Sequence, residues 1–437
     1  MAGQSATFEK NQEHGIKKLS EEIKGVIKNL DTLPASSTKH RCIYKVPDHM
    51  RKSNEEAYTP RVISIGPFHC DNRKLQTMER FKLRYLKIFT DRAETKLEDI
   101  VSTIKGAEES VRECYSETIP LGSDDFVKMI LLDASFIIVY FLKSKSKIWT
   151  EYDREILKPW LCNRMQMDLI LLENQLPFFI IEKIYDTAFL SLSKIHPFIE
   201  LSFRQFEYYN VQNFLHSESE IFILHFTDLV RNFCMPPPER RPQRSYRNMK
   251  EMYSLAQLDE VGLKFKKRQS SNINWSPLEL ELKYADGVLE IPPFQLDSST
   301  EIYARNLVAF EECHYPEDPY ITDYYILLSM LIKTVKDIDV LVREQIIHNW
   351  LDGVVATSMI NKLSGEKLFY FQMNSDYHGM AEKLNKFYKA SETTLHRMMA
   401  TLKREYFYNP WRGVAAIGLL LTVTQTVCAL ISVNNWK

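Results

Sequence analysis

The segment DDFVKMILLDASFIIVYFL, residues 124–142, decides the fold class. Its last 17 residues, from Phe126 to Leu142, are apolar nearly all round but include Lys128 and Asp133. A helix that is hydrophobic on every side is buried in a protein core or in a membrane, and two charges in so short a stretch make a membrane span costly. We therefore predict the central helix of a soluble core, in which Asp133 needs a buried partner.

A second apolar segment, MDLILLENQLPFFIIEKIY (167–185), has the same character. Glu173, Asn174 and Gln175 interrupt two apolar runs just before Pro177. Proline kinks or splits a helix, and polar side chains nearby can satisfy the carbonyl groups that it frees. We interpret Asp133, Glu173, Asn174 and Gln175 as a buried polar network, because buried carboxylates belong more often to such networks than to catalytic sites.

Most of the remaining chain has a helical pattern. Residues 1–38 contain an amphipathic helix that we expect to pack against the body, and a further apolar stripe runs over 75–89. Within 278–291, alternating apolar residues and the turn Ala285-Asp286-Gly287 predict a small β-hairpin. The body is therefore a mainly α, multi-helix globular domain with one small β element.

The composition is that of a globular protein without a dominant charge. The 437 residues are 45% hydrophobic and 26% charged, with a formal net charge of -1, so no global field attracts nucleic acid. Positive charge is concentrated in the proline-rich run 234–250 and in 264–269, and each contains one aromatic residue rather than a series of aromatic stacking platforms. We discount nucleic acid as a partner and interpret the run 234–250 as a loop, either solvated and mobile or in contact with anionic lipid headgroups.

No stretch carries a common catalytic or metal-binding motif. The chain lacks G-x-S-x-G, the phosphate-binding loop G-x-x-x-x-G-K-[ST] and H-E-x-x-H. Its seven cysteines stand far apart, which is typical of reduced thiols and of a body that folds in the cytosol. His49, His69 and His225 are candidate acid–base groups, although lone histidines are more often structural. We assign no catalytic residue, cofactor or metal.

The stretch 411–434 predicts a C-terminal transmembrane helix. Gly413–Trp436 contains no charged side chain, and Val414–Val433 gives 20 mostly apolar residues, enough to cross a hydrocarbon core of roughly 30 Å. Basic residues before the segment outnumber the single one after it, which places the body in the cytosol. We predict a single-pass anchor in the plasma membrane or an endomembrane. A lumenal or extracellular body is the alternative, for which Asn274 is a weak glycosylation site.

Four residues of this stretch, Gly418, Thr422, Gln425 and Thr426, form a candidate association face. Small residues every four positions let two helices approach closely, and a glutamine in the bilayer gains from a partner across the interface. The face predicts a homo-dimer, and the alternative is an ordinary anchor without self-association.

Six sequence blocks follow one another along the chain: YKVP (44–47), AYTPRVISIGPFH (57–69), LLDASFIIVYFL (131–142), DLILLENQLPFFIIEKIY (168–185), GVLEIPPFQLDSSTEIYARNLVAFEEC (287–313) and the apolar segment after NPW (409–411). In this order they resemble the blocks of a plant family known as domain of unknown function 247. The resemblance runs from about Ile43 to the C-terminus and implies one helical family domain over 39–408, a C-terminal membrane segment, and no established enzymatic activity. Some relatives in grasses are associated with pollen-side self-incompatibility.

These observations predict a membrane-anchored plant protein that acts as a protein-recognition or signalling module. Its expected partners are the lipid bilayer, through the C-terminal helix, and an unidentified protein. The alternative is an unrecognised membrane-associated enzyme for lipid or small-molecule substrates, with Asp133 and Glu173 as its carboxylates. A cleft that exposes both groups with raised pKa values would favour the enzyme, whereas burial and hydrogen bonding of both would favour the module.

Overall fold

The structure is a computed structural model of the chain. It describes residues 41–216, 222–245, 247, 252–268, 278–349, 351–363 and 373–391, together with helical positions 20, 21, 23, 24, 401, 418, 421, 422 and 424–426. The amphipathic helix predicted within 1–38 lies outside the described residues except at the first four of these helical positions. Asn274 lies outside them as well.

The described residues are mainly helical, which confirms that part of the predicted fold class. Short 3₁₀ turns lie at Glu55–Ala57, Pro67–His69, Arg73–Leu75, Glu207–Tyr209 and Pro238–Arg240. The α-helices are α1 (Asp48–Arg51), α2 (Gln76–Arg92), α3 (Leu97–Glu113), α4 (Ser123–Ser146), α5 (Glu151–Ile156), α6 (Pro159–Asp168), α7 (Phe178–Ala188), α8 (Leu192–Ile195), α9 (Phe198–Gln205), α10 (Phe226–Cys234), α11 (Leu255–Glu260), α12 (Ser298–His314), α13 (Tyr320–Leu331), α14 (Val335–Arg343), α15 (Gly353–Leu363) and α16 (Ser375–Ser391).

Helix α4 is the central helix of the N-terminal half, as its apolar character predicts. The helices α2, α3, α7 and α9 pack around it. Phe136, Ile137 and Ile138 are all fully buried, and because successive residues are about 100° apart around a helix axis, these three alone cover more than half of its circumference. Lys147, in the left-handed conformation with φ of 56°, ends the helix.

The chain around Pro177 is split into two helices, as expected. Helix α6 ends at Asp168, and α7 begins directly after the proline. Residues 169–177 form turns between the two helices, and most of their side chains are buried. Buried main-chain groups outside helices and sheets still need hydrogen-bond partners. Here some partners are main-chain carbonyls and side chains supply others.

The β structure is larger than the predicted hairpin. The hairpin itself is confirmed, since Asp286 and Gly287 link two antiparallel strands with positive φ angles of 50° and 73°, as a type I′ turn requires. A third strand, from the basic run 264–269, pairs in parallel with the second hairpin strand, and a separate parallel pair follows. The strands are β1 (Lys264–Lys267), β2 (Lys283–Ala285), β3 (Val288–Ile291), β4 (Phe294–Leu296) and β5 (Ile347–Asn349), and the three-stranded sheet has the order β1-β3-β2.

One continuous core joins the two halves of the described chain. Its buried apolar side chains come from positions between Cys42 and Leu384. Asn306 in α12 ties distant segments together, because its side-chain amide donates to the Ala57 carbonyl (2.8 Å) and its side-chain oxygen accepts from the Leu172 N–H (2.9 Å). Helix α12 also packs against α10, α13 and α15.

The predicted C-terminal transmembrane helix is wrong. Among the described residues, no helix is both long enough and apolar enough to cross a membrane. A spanning helix needs about 20 consecutive apolar residues. Within 411–434 the described positions are helical and exposed, and four of the six carry threonine or glutamine. The other positions of 411–434 lie outside the described residues.

Candidate functional site

An extended segment, residues 61–66, crosses the core and is held by buried side chains; we call it the strap. Asp168, the last residue of α6, accepts hydrogen bonds from three consecutive strap N–H groups. Its carboxylate lies 3.1 Å from the nitrogen of Arg61, 2.7 Å from that of Val62 and 2.9 Å from that of Ile63. One carboxylate therefore supplies the acceptors that a neighbouring strand would otherwise supply.

Asn174 continues this pattern at the next residues of the strap. Its side-chain oxygen accepts from the Ile65 N–H at 2.7 Å, and its side-chain nitrogen donates to the carbonyls of Ile63 and Asp168, each at 2.9 Å. An amide side chain presents one acceptor and two donors, and all of these functions are used here.

Asp133 binds the end of the strap and a buried lysine. Its carboxylate accepts from the Gly66 N–H at 2.8 Å and from the Lys82 ammonium at 2.7 Å. Lys82 also pairs with Glu79 at 2.7 Å. Gly66 has a φ of +74°, and a Cβ atom there would lie 2.3 Å from the carbonyl oxygen of Gln175, so only glycine fits this approach.

Gln175 joins the turns after α6 to α10. Its side-chain nitrogen donates to the carbonyls of Leu169 (2.7 Å) and Leu171 (2.8 Å), and its side-chain oxygen accepts from the Phe226 N–H (3.0 Å). These bonds satisfy main-chain groups that the split near Pro177 leaves without helical partners.

Glu173 points to a different part of the molecule from its two neighbours. It accepts a 2.6 Å hydrogen bond from the Val46 N–H and forms an ion pair with Arg51, and its second oxygen lies 3.2 Å from Nε2 of His69. Burial would raise the pKa of Glu173, but His69, Arg51 and the Val46 N–H together hold it below its usual value. The carboxylate is thus kept ionised.

Of the four predicted network residues, Asp133 and Asn174 bind the strap. Gln175 binds the turns after α6 and the start of α10, and Glu173 lies apart. Sequence analysis missed Asp168 and Lys82. Lys82 was detectable, because it falls on the apolar stripe of α2 between Met78 and Tyr85. Nothing near Asp168 in the sequence indicates its partners, which lie 105 to 107 positions away.

Asp133 and Asp168, the two carboxylates that bind the strap, are poor candidates for chemistry on a ligand. Burial raises the pKa of Asp168 to about 6 and that of Asp133 to about 6, against the opposing effects of the strap N–H groups and of Lys82. However, Asp168 is 3% exposed and Asp133 is 2% exposed. A general acid or base must reach the atom to which it transfers a proton, and neither group opens to solvent.

A second buried ionic cluster lies between α10 and α12 and was also missed. Glu311 accepts from the Arg231 guanidinium at 3.0 Å and from the N–H groups of Ile321 (3.1 Å) and Thr322 (2.8 Å) at the start of α13. The same guanidinium lies over the Tyr315 ring, 3.8 Å from its centroid. Like the strap network, this cluster orients helices.

Arg244 anchors the basic run 234–250 to helix α13. Its guanidinium pairs with buried Asp323, which also accepts from the Asn374 N–H at 2.8 Å. Burial raises the pKa of Asp323 to about 7, against the effect of Arg244. The described part of the run is therefore attached to the core rather than wholly solvated.

The three candidate acid–base histidines are spread over the molecule. His49 is exposed and His69 lies beside Glu173. His225 is fully buried, where Nδ1 accepts from the Asp228 N–H (3.3 Å) and Nε2 lies 2.9 Å from the Cys42 carbonyl oxygen. These contacts define a neutral ring with its proton on Nε2, and burial lowers the pKa of His225 to about 3.

Metal-binding clusters are absent from the residues that the structure describes. No group of three or more His, Cys, Asp or Glu side chains in these ranges could hold a metal ion. Five of the described cysteines are free thiols: Cys42, Cys70, Cys114, Cys162 and Cys234.

A large cleft between α11, the start of α14 and α16 is the candidate functional site; we call it the basic cleft. Its volume is about 1150 Å³, above the range of about 300–1,000 Å³ for small-molecule pockets. It is open to solvent, and none of the predicted network residues lines it. The lining residues are Arg247, Met252, Tyr253, Ser254, Ala256, Gln257, Glu260, Lys333, Thr334, Lys336, His378, Ala381, Glu382, Asn385, Lys386 and Lys389.

Buried Asp337 fixes two walls of the basic cleft relative to each other. One carboxylate oxygen accepts from the N–H groups of Lys333 (3.0 Å) and Thr334 (2.8 Å) before α14, and the other accepts from the Ala256 N–H (2.7 Å) in α11. Lys333 also reaches across to the Met252 carbonyl with its ammonium group (2.8 Å). The cleft is therefore built on hydrogen-bonded helix ends rather than on free loops.

No contact among the described residues tests the predicted association face, which was argued for a spanning helix. Gly418, Thr422, Gln425 and Thr426 are helical and exposed. The Thr422 hydroxyl donates to the Gly418 carbonyl (2.8 Å) and the Thr426 hydroxyl to the Thr422 carbonyl (2.7 Å), so both hydroxyls bind their own helix.

Fold and site together define a mainly helical domain whose buried carboxylates hold the main chain and whose open cleft is cationic. The chain belongs to DUF247, a family described as plant protein of unknown function, whose model matches residues 43–424. It is similar to UPF0481 protein At3g47200 of Arabidopsis thaliana, with 26% identity over 428 residues that cover 91% of this chain and 87% of the relative. A second relative from the same plant, "Putative UPF0481 protein At3g02645", is 31% identical over 147 residues, or 32% of this chain and 26% of the relative. No solved structure matches the chain.

Proposed function

We propose that this plant protein is a recognition or signalling module that binds another protein and catalyses no reaction. The observation that supports the proposal is that the carboxylates in the core have structural partners, whereas the cationic side chains of the basic cleft face solvent. The buried carboxylates of the strap bind main-chain N–H groups and Lys82, whereas the basic cleft presents cationic side chains to solvent. A surface of solvent-exposed charges suits binding, because complementary charges on a partner favour association.

The enzyme alternative required Asp133 and Glu173 in one cleft with raised pKa values. Both side chains are buried and hydrogen-bonded to different segments, and the pKa of Glu173 is lowered. Neither residue lines the basic cleft. The requirement for the enzyme is not met, which favours the module.

We further propose that the domain works in the cytosol. Cys42, Cys70, Cys114, Cys162 and Cys234 are free thiols, and three of them, Cys42, Cys114 and Cys234, are buried. Proteins of oxidising compartments usually pair their cysteines, so free thiols are typical of a reducing compartment.

Proximity labelling followed by reconstitution tests the recognition proposal. The full chain would be fused to a biotin ligase and expressed in plant tissue, with the ligase alone as the control. Proteins enriched over the control would then be purified and titrated against the purified chain by calorimetry. We expect at least one of them to bind directly with a defined stoichiometry.

The proposal is wrong if none of the enriched proteins binds the purified chain. Incubation of the purified chain with a plant small-molecule extract, followed by mass spectrometry, addresses the enzyme directly. Depletion of a compound by the wild type, but not by a folded Asp133→Asn variant, would show that the protein is an enzyme and would refute the proposal of a non-catalytic module.

A further inference from the structure

We propose that the basic cleft binds an acidic segment of the partner protein, through carboxylate side chains that pair with Lys336, Lys386 and Lys389. This inference rests on the proposed recognition function and assigns it a surface and a ligand chemistry.

The charge of the cleft is opposite in sign to that of the whole chain. Five lining residues are cationic, namely Arg247, Lys333, Lys336, Lys386 and Lys389, and two, Glu260 and Glu382, are anionic. The formal charge of the cleft is therefore +3, in a chain of formal net charge -1. Clefts lined by one sign of charge concentrate ligands of the opposite sign.

Three of these lysines are available to a ligand. Lys336, Lys386 and Lys389 are exposed, and no ion pair among the described residues includes any of them. Lys386 and Lys389 are three residues apart on α16 and so share one face of the helix, while Lys336 stands on the opposite wall in the first turn of α14. A bound segment would meet positive charge on both sides.

The floor of the cleft suits a peptide better than a compact anion. Ser254 and His378 are buried there, and Tyr253 stacks on Tyr388 with ring centroids 3.6 Å apart. Polar side chains such as Gln257 also line it. A site for one phosphate group places its cations around a single point, whereas these lysines are distributed along two helices. A volume of about 1150 Å³ accommodates several residues of an extended chain.

Binding of a defined acidic peptide to the full-length chain tests the inference. The probe is fluorescein-labelled octaglutamate, measured by fluorescence anisotropy, and the neutral control is octaglutamine with the same label. The cleft variant is Lys336→Glu, Lys386→Glu, Lys389→Glu. The matched control is Lys74→Glu, Lys183→Glu, Lys194→Glu, which changes the net charge equally at exposed positions outside the cleft.

We expect saturable binding of octaglutamate, weakened by about tenfold or more in the cleft variant and by less than about twofold in the control variant. Higher salt should weaken the wild-type complex. Equal binding by the two variants, or binding of octaglutamine as tight as octaglutamate, would overturn the inference. So would binding of phosphatidylserine vesicles or inorganic phosphate that depends on the three lysines while octaglutamate fails to bind.

The two proposals fail in different ways. A partner that binds the wild type and the cleft variant equally would preserve the recognition function and refute the cleft as its site. Octaglutamate binding without any directly binding protein would leave a cationic site and refute the recognition function.

Discussion

At the scale of a single residue, the carboxylate of Asp168 accepts hydrogen bonds from the strap that a neighbouring β-strand would otherwise accept. Its three N–H donors come from consecutive residues of the strap, so one substitution would leave several buried donors without acceptors. Such a residue has no local signature, because its role depends on a segment 107 positions away. The apolar setting of Asp133, in contrast, is visible in the sequence, and so is its need for a partner.

Gly66→Ala should destabilise the protein by at least about 2 kcal/mol. The added Cβ would meet the Gln175 carbonyl at 2.3 Å, at a φ of +74° that side chains rarely adopt. Urea unfolding measures the change. The matched control is Gly106→Ala in α3, where a Cβ meets nothing within 4 Å and helix propensity should add about 0.5–1 kcal/mol. Equal stability of the two variants would contradict the close approach at Gly66.

Acidification should reduce the stabilising effect of His225. Its pKa in the folded protein is about 3, below the usual value of about 6.5, so the unfolded chain binds more protons between these pH values. The contribution of His225 is therefore present at pH 7 and falls as the pH drops below about 6.5, by roughly 2–3 kcal/mol at pH 4.5.

The measurement compares the wild type with His225→Gln in urea at each pH. Asp168 and Asp133 have raised pKa values and act in the opposite direction, since they take up protons in the folded state as the pH falls. Both proteins share that effect, so the difference between them isolates His225. Exposed His49→Gln should keep the wild-type profile, and a constant difference between wild type and His225→Gln would refute the buried neutral ring.

At the scale of elements, the split at Pro177 creates the region on which the strap depends. Helix α6 ends and α7 begins on either side of residues 169–177, and side chains from these turns then bind the strap and α10. Proline and three polar residues between apolar runs predicted the split, since both features act locally. The sequence could not show that the strap is the partner, because the strap has no periodicity of its own.

Asn174→Ala should destabilise the protein, because it removes hydrogen bonds that the Asn174 side chain makes to the main chain of the strap. The Ile65 N–H and the Ile63 carbonyl would lose their partners, at a cost of about 2–4 kcal/mol in unfolding free energy. Hydrogen exchange of the Ile65 amide should accelerate. Asn163→Ala, at an exposed position of α6, should change stability by less than about 0.5 kcal/mol. Unchanged exchange at Ile65 in Asn174→Ala would contradict the assigned hydrogen bond.

At the scale of the whole molecule, local patterns predicted the helical class and the β2–β3 hairpin but not the long-range pairings. Strands β4 and β5 are more than 50 residues apart, and the basic cleft combines residues between 247 and 260, 333 and 336, and 378 and 389. Neither arrangement follows from periodicity. The C-terminal prediction was wrong because an uncharged apolar stretch spans a membrane only as one long helix, and no helix of the described residues is long and apolar enough.

The single core predicts one cooperative unfolding transition. Most buried apolar side chains between Cys42 and Leu384 belong to one cluster, and a small second cluster includes Tyr58 and Phe310. Hydrogen bonds of Asn306 and Arg231 link distant segments of the chain. Scanning calorimetry should give one peak, with calorimetric and van't Hoff enthalpies in agreement. Arg231→Met should lower the midpoint of that peak without dividing it. Two resolved peaks in the wild type would show independent domains.

The hydrogen bond between Asn306 and Ala57 also has a consequence for biosynthesis. The two residues are 249 positions apart, and ribosomes add about 5–20 residues per second. The Ala57 carbonyl must therefore wait roughly 10 to 50 seconds after its own synthesis before Asn306 exists. During that interval the apolar surface that later meets α12 has no partner on the nascent chain, so we expect chaperones that act at the ribosome to bind the N-terminal half.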